Sequence, residues 1–386
     1  MKKLRISAIF LTAVITAAGI AMPTSAQSLY YEEEQSDISV SASAAILIEA
    51  DTGTILFSKN EKEHRSIAST TKIMTTLLTL EAGNLDKQFT VDGTAILTEG
   101  TSMGLKEGDI VTRRALCYGM LLPSGNDAAN AVAINISGSY SAFAEKMNEK
   151  AKAIGMKDSN FVTPSGLDAK GQYSCAYDLA LLTAYALENE DFREICCQKS
   201  AKVKFGNPPY ERWMNNSNKL LKNYPGCIGV KTGFTDNAGR TLVSAATRNG
   251  ITLIAVTLNA PDDWNDHTKL FDYGFAEVKI RKADYDISAL SLPVTGSDKD
   301  SVGLATTPVS LPLTDSQKNK VTTVIHLPRF IYADVSKGET VGRIEYILND
   351  RIIAVSEITT TEECVKKSQE VDFFTSIFRF IKRLLS

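Results

Sequence analysis

Histidine is scarce in this chain: 386 residues contain only His64, His267 and His326. A Ser-His-Asp triad is defined by geometry and not by spacing. No G-x-S-x-G segment accompanies these residues, however, so they are read as structural or surface groups. No two of the six cysteines form a C-x-x-C pair, which argues against zinc and thioredoxin chemistry. The cysteines are expected mostly as small buried thiols. No His/Asp/Glu group has metal-ligand spacing, so neither a metal nor an organic cofactor is expected. Positive charge is not in excess either. The formal net charge is -3, whereas a nucleic-acid partner would favour a basic patch. After residue 21 no apolar run approaches the roughly 20 residues of a membrane span. Internal repeats and long low-complexity tracts are also missing.

Residues 1–26 read as a secretory signal peptide. Lys2, Lys3 and Arg5 open it, Ile6 to Ala21 is apolar but short for a span, and Thr24-Ser25-Ala26 offers small residues for cleavage. Without it the chain loses three basic residues and no acidic ones, so the charge moves from -3 to -6. Residues 27–37 are polar and acidic and are expected to be flexible. At the other end, residues 364–386 include an amphipathic stretch. On a helical wheel Val371, Phe373, Phe374, Ile377, Phe378, Phe380, Ile381, Leu384 and Leu385 fall on one half, opposite Arg379, Lys382 and Arg383. That pattern describes a helix lying in a membrane interface, and a location on the outer face of the cytoplasmic membrane is expected.

Between these ends the pattern changes once. Ala45 to Ala50 and Thr54 to Phe57 read as paired strands around Asp51-Thr52-Gly53. Ser66 to Glu81 reads as a helix, apolar around much of its surface and therefore central. Residues 112–154 and 176–188 look mainly helical. Thr241 to Thr247 and Ile251 to Leu258 form strands joined through Asn249-Gly250, and a helix from about Asp262 to Tyr273 closes the unit. Strands first and last with helices between them predict an α/β (α+β) domain with an antiparallel sheet, residues 38–276. From Glu277 short β-type runs separated by polar turns predict a small all-β domain, residues 277–363, within the usual domain size.

Three motifs carry the chemistry. Ser69-Thr70-Thr71-Lys72 is the chain's only S-x-x-K, and Lys231-Thr232-Gly233 its only K-T-G; Ser124-Gly125-Asn126 lies between them. Residues three apart on a helix share a face, so Ser69 presents its hydroxyl beside the Lys72 amine. Serine needs a base before it is a good nucleophile. Lysine can be that base if burial or a nearby cation depresses its pKa, and Lys231 is the candidate cation. A helix starting near Ser69 also offers free N–H groups to a developing oxyanion. Ser124 can relay a proton to the leaving amine, and Asn126 can hold both a substrate amide and Lys72. A structural alternative makes Ser124-Gly125-Asn126 a helix cap. Ile228 to Thr235 reads as a strand whose glycines suit close approach of a ligand, with a peptide added along its edge. Lys231 and the hydroxyls of Thr232 and Thr235 would meet the substrate's terminal carboxylate. The alternative is an ordinary edge strand guarded by a lysine.

The ordered set is the one found in penicillin-binding proteins and class A β-lactamases. Together with Ala68 to Thr75, Leu122 to Ala129, Phe161 to Leu167, Gly229 to Thr235 and Ala238-Gly239-Arg240, it resembles the D-alanyl-D-alanine carboxypeptidases of the S11 serine peptidase family. The resemblance covers nearly the whole chain after the signal. It implies a transpeptidase/β-lactamase-like fold, Ser69 as acylated nucleophile, Lys72 as general base, and Ser124, Asn126 and Lys231 completing the network. It also implies an oxyanion hole from the Ser69 and Phe234 N–H groups, with Gly233 between Thr232 and Phe234 on the substrate strand. One departure is Gln172-Tyr173-Ser174-Cys175-Ala176, where many members carry His-Tyr-Ser-Thr-Ala. The expected activity is removal of the terminal D-alanine from peptidoglycan pentapeptide stems, with β-lactam antibiotics acylating the same serine. A D,D-endopeptidase that cuts cross-links uses the same motifs. A β-lactamase is disfavoured because no E-x-x-L-N segment lies between Asn126 and Lys231. An idle wall-binding protein is disfavoured by the intact motifs.

Overall fold

The structure is a computed structural model, and it describes residues 29–31 and 38–367. The expected signal peptide and the amphipathic stretch from Val371 lie outside the described residues. In chain order the first part holds β1 (Tyr30–Tyr31), β2 (Ala44–Glu49), β3 (Thr54–Lys59), a 3-10 turn (Ala68–Thr71), α1 (Lys72–Glu81), β4 (Gln88–Thr90) and β5 (Ile110–Thr112). It continues with α2 (Arg113–Leu121), α3 (Asn126–Ser137), α4 (Tyr140–Ala153), α5 (Ala176–Leu187), α6 (Glu190–Cys196), β6 (Ser200–Gly206), β7 (Pro209–Asn215) and α7 (Leu220–Asn223). The last elements of this part are β8 (Cys227–Thr235), β9 (Gly239–Arg248), β10 (Ile251–Leu258) and α8 (Asp263–Glu277).

A six-stranded sheet in the order β1-β3-β2-β10-β9-β8 is the frame. Its central strands are buried on both faces, which is why they read as nearly unbroken apolar runs. Ile46, Ile48, Val243, Ala245, Ile254 and Val256 pack against the helical layer that contains α1 and α5. Their neighbours Ala45, Leu47, Leu242, Ala246, Leu253 and Ala255 pack against Leu270 and Phe271 of α8. Strand alternation thus builds two cores from one sheet. Strand β8 lies at the end of the sheet, so one of its edges has no neighbour in that sheet.

Helix α1 runs through the helical core with Ile73, Met74, Leu77 and Leu80 buried, as its wide apolar surface predicts. The expected start at Ser66 is not observed. The backbone at Ala68 has φ 45°, in the left-handed region, and a short 3-10 turn precedes α1. Gly166 explains the local shape: a side chain there would lie 1.9 Å from the Ala68 carbonyl oxygen. Helix α8 runs past Tyr273 to Glu277, because Leu270, Phe271, Gly274 and Val278 continue the stripe that faces the sheet. A second sheet, β4-β5-β6-β7, was not foreseen. Two of its strands have only three residues each, too few for a period to register.

The second part is all β. It holds β11 (Lys279–Ala283), β12 (Ser291–Thr295), β13 (Ser301–Thr306), β14 (Val309–Leu313), β15 (Thr322–His326), β16 (Ile331–Tyr332), β17 (Thr340–Leu348) and β18 (Arg351–Thr360). Six of these form the sheet β15-β17-β18-β13-β12-β16 over a core of its own, which includes Val302, Ile344 and Ile358. It meets the first part at the β2–β3 turn, where Gln317 Nε2 donates to Thr54 Oγ1 at 2.9 Å and an Arg351 guanidinium nitrogen donates to the Thr52 carbonyl at 3.1 Å. Glu49 is fully buried beside this joint and accepts from the Thr52 N–H and hydroxyl, while burial pushes its carboxyl up to about 8. All six cysteines are free thiols, four of them buried. Among the described residues, no helix is long and apolar enough to cross a membrane.

Candidate active site

The S-x-x-K spacing does what helical geometry predicts. The 3-10 turn ends where α1 begins, so Ser69 and Lys72 stand on one side, with Lys72 Nζ 2.9 Å from Ser69 Oγ. Lys72 is fully buried. Its other two partners are Asn126 Oδ1 at 2.7 Å and the Ser165 carbonyl at 2.6 Å. Three neutral acceptors thus surround the amine. Burial first, and the charge of Lys231 second, hold its pKa well below the usual lysine range, while Asp127 acts in the opposite direction.

Asn126 begins α3, yet its side chain does not cap the helix. The cap position is Gly125, and no side chain accepts there. Asn126 Oδ1 serves Lys72 instead, and its Nδ2 donates to the Glu99 carbonyl at 2.7 Å. Ser124 sits on the preceding turn at φ 68°, is almost fully buried, and lines the cleft. Asp127 fixes this turn. Its carboxylate accepts from the backbone N–H groups of Met103, Gly104 and Leu105 and from the Ser102 hydroxyl. The loop before Leu105 is thereby tied to the start of α3.

Lys231 is also buried, which removes the alternative of a solvated edge lysine. Burial pulls its pKa down to about 7, and its Nζ donates to the Thr232 carbonyl at 2.8 Å. Two strand positions on, Gly233 lies against the nucleophile. A side chain there would sit 3.1 Å from the Ser69 nitrogen and 2.3 Å from Thr241 Oγ1. Thr232, Gly233, Phe234 and Thr235 all line a cleft of about 540 Å³ that also contains Ser69, Ser124 and Asn126. The structure therefore brings seven of the nine expected site residues to this cleft, with the two lysines buried beside them.

Sequence reading missed several members. The Ser165 carbonyl enters through the loop Phe161 to Leu167, which Gln172 braces: its side-chain oxygen accepts from the Val162 and Thr163 N–H groups, and its amide donates to the Leu167 carbonyl. The unusual Gln172 is thus a support of the loop that holds Lys72. The cleft also includes Ser217, Lys219, Arg240, Asp263 and Trp264. Ser217 Oγ and Thr232 Oγ1 lie 2.9 Å apart. One Arg240 guanidinium nitrogen donates to both oxygens of the buried Asp263, at 2.7 and 2.9 Å.

No histidine lines the cleft. His64 pairs with Asp158 at the surface and His326 with Glu345. His267 is buried against Thr257 Oγ1, and burial lowers its pKa to about 3. Among the described residues one group has the spacing of metal ligands: Asp158, Cys175 and Asp178, within 4.8 Å of one another. Its geometry is that of a helix start. Cys175 Sγ accepts from the Asp178 N–H, and Asp178 accepts from the Asp158 N–H and the Ser159 hydroxyl.

A family model described as D-alanyl-D-alanine carboxypeptidase matches residues 31–262, and a second, described as the C-terminal domain of penicillin-binding protein 5, matches residues 275–366. The chain is 32% identical over 370 residues to the D-alanyl-D-alanine carboxypeptidase DacF of Bacillus subtilis, covering 92% of this chain and 94% of that protein. Among solved structures, penicillin-binding protein 5 of Haemophilus influenzae matches with a TM-score of 0.64 at 27% identity, covering 86% of this chain and all (100%) of that one. The Streptomyces K15 DD-transpeptidase matches with a TM-score of 0.60 at 33% identity, covering 62% of this chain and 99% of that one. Matched by a family model over more than half its length and by a relative over nearly all of it, the chain belongs to the S11 peptidase family of serine D-alanyl-D-alanine carboxypeptidases.

Proposed function

We propose that this chain is an exported carboxypeptidase that removes the terminal D-alanine of peptidoglycan stem pentapeptides through an acyl-enzyme on Ser69. The observation that carries the reading is the contact between Ser69 Oγ and a buried Lys72 Nζ that has no ion-pair partner among the described residues. Burial and the neighbouring Lys231 favour the neutral amine. Neutral Lys72 takes the Ser69 proton as the oxygen attacks the carbonyl of the penultimate D-alanine. The Ser69 and Phe234 N–H groups stabilise the oxyanion. Ser124 relays the proton to the departing amine, so that D-alanine leaves neutral at nitrogen. Water then attacks the ester, Lys72 again serves as base, and the shortened peptide is released.

A peptide laid along the open edge of β8 forms main-chain hydrogen bonds with it, and Asn126 holds a substrate amide. β-Lactams present a strained amide to the same serine and remain as the acyl-enzyme. Residues 38–276 form the catalytic domain and residues 277–363 the β domain. The signal peptide at residues 1–26 directs export, and the tail holds the enzyme on the outer face of the cytoplasmic membrane. Full-length protein, labelled with penicillin and mapped by mass spectrometry, tests the assignment together with D-alanine release from a pentapeptide. Ser69→Ala is expected to abolish both. An adduct on another serine, or full labelling of the variant, overturns the mechanism; release from cross-linked dimers alone makes the enzyme an endopeptidase.

A further inference from the structure

We infer that Asp158, Cys175 and Asp178 form a binding site for a divalent transition-metal ion, zinc in preference, at the joint that carries two approaches to the active site. None of the three lines the cleft, and the role of the ion is structural.

Asp158 lies between α4 and α5, and Cys175 and Asp178 open α5. One ligand atom from each lies within 4.8 Å of the other two. Cys175 and Asp178 are buried, while the Asp158 side chain is 37% exposed and gives an ion a way in. The start of α5 accounts for only part of this group. Cys175 Sγ accepts from the Asp178 N–H at 3.4 Å, and Asp178 Oδ2 accepts from the Asp158 N–H and the Ser159 hydroxyl, both at 2.7 Å. Asp178 Oδ1 is buried and has no hydrogen-bond partner. Leaving a buried charged acceptor unpaired costs more than leaving a neutral one. A counter-ion is also missing: among the described residues Asp178 forms no ion pair, and Asp158 pairs only with His64. A cation seated among the three residues supplies Oδ1 with a partner and offsets both carboxylates.

The donor set selects the ion. Calcium and magnesium take oxygen ligands alone, whereas a thiolate with carboxylates suits zinc, with water as the fourth ligand. Binding exchanges the Cys175 thiol proton for the metal: the S–H bond breaks, the sulfur–metal bond forms, and the proton leaves to solvent. His64 supports the group from outside. Its Nε2 is 3.2 Å from Asp158 Oδ1 and its ring stacks on Tyr173 at 4.3 Å, the kind of outer partner that orients a ligating carboxylate. Sulfur is available because this chain departs from its family here. Cys175 stands where many members carry threonine, and it keeps the capping bond. Ser174 pairs with Arg65 in the segment that leads to Ser69, and Tyr173 pairs with Asn160 in the segment that leads to Ser165, whose carbonyl holds Lys72. An ion at this joint fastens both.

The test uses the reduced full chain, stripped of metal with a chelator and dialysed. Zn²⁺ is expected to bind at one ion per chain and, at about a hundredfold excess over Kd, to raise Tm by roughly 5 °C. Co²⁺ in its place should show a thiolate-to-cobalt charge-transfer band. Cys175→Thr, which keeps the cap, should remove the band and the rise in Tm. His64→Gln should weaken Zn²⁺ binding about tenfold. Asp158→Asn, at a partly exposed position, should weaken it more than that, and it decides the matter if Cys175→Thr does not fold. Cys197→Ser, at another accessible thiol, should change nothing. Circular dichroism and a cooperative melt establish that each variant is folded. A Co²⁺ spectrum without the band, a band lost in Cys197→Ser, or Zn²⁺ binding to Cys175→Thr or Asp158→Asn as tightly as to the wild type means an adventitious ion only, and the inference fails.

Discussion

The two faces of the β8 edge hold cations in opposite condition. On the helical side Lys72 and Lys231 are buried, neither forms an ion pair among the described residues, and burial drives both pKa values down. On the side of α8, Arg240 is half-exposed and rests on a buried carboxylate. A proton carrier must be able to let its proton go, and a low-dielectric site without a counter-ion makes that easy for an amine. Arg240 instead has its counter-ion beside it, the buried Asp263 carboxylate. The lysines of α1 and β8 thus stand on the helical side of the sheet, and Arg240 of β9 on the side of α8.

The sharpest way to break this contrast is to put a fixed charge on the wrong face. Lys72→Arg should lose penicillin acylation by about 10³-fold or more, the upper range for a general base, because arginine cannot accept the Ser69 proton. Second-order labelling kinetics measure it, and a loss under tenfold would contradict the role of Lys72. Lys231→Arg should cost less, on the order of tenfold, since charge there is retained; equal damage from the two substitutions would erase the distinction between them.

The pH dependence sharpens the comparison further. Acylation requires neutral Lys72 and gains from charged Lys231. As pH rises, the neutral fraction of Lys72 grows and the rate climbs. Near pH 7, where Lys231 loses its proton, the rate should level and then fall. In Lys231→Arg the falling limb should move several units higher, outside the usual range of measurement. A profile unchanged by that substitution would assign the limb to another group. The smallest effect is expected from the β domain. A chain ending at residue 276 should still be labelled at Ser69 within about threefold of the full chain, because no residue of the β domain lines the cleft. The Streptomyces transpeptidase, whose match spans 62% of this chain, supports that independence. Removing residues 369–386 should likewise leave labelling unchanged while shifting the protein from the membrane fraction to the soluble one. Retention in the membrane fraction would remove the anchor.

The parts legible in the sequence are those whose spacing encodes geometry. Ser69 and Lys72 follow from helical period, the β9–β10 turn from Asn249-Gly250, and β8 from its glycines. The Ser165 carbonyl was invisible because a backbone acceptor has no side-chain signature. Arg240 and Asp263 are ordinary charges until β9 and α8 bring them together. Asn126 had two readings, a hold on Lys72 and a helix cap, and the structure realises the first. Its position at a helix start suggested capping, but contact with Lys72 and the Glu99 carbonyl outweighs that local preference. Strands β4 and β5 were missed because three residues cannot display alternation.

Strand β8 has a consequence beyond catalysis. The sheet ends at its far side on the two-residue β1, which pairs with β3, and at its near side on the nine-residue β8. Most proteins hide or blunt such an end, because any extended chain can join it. On the mechanism proposed above this end is left open because a peptide substrate joins it. Gly100, Thr101, Gly166 and Leu167 line the cleft together with the strand, so a second copy of this chain could join the strand there only by fitting among the same residues, and the cleft doubles as the guard of the sheet's end.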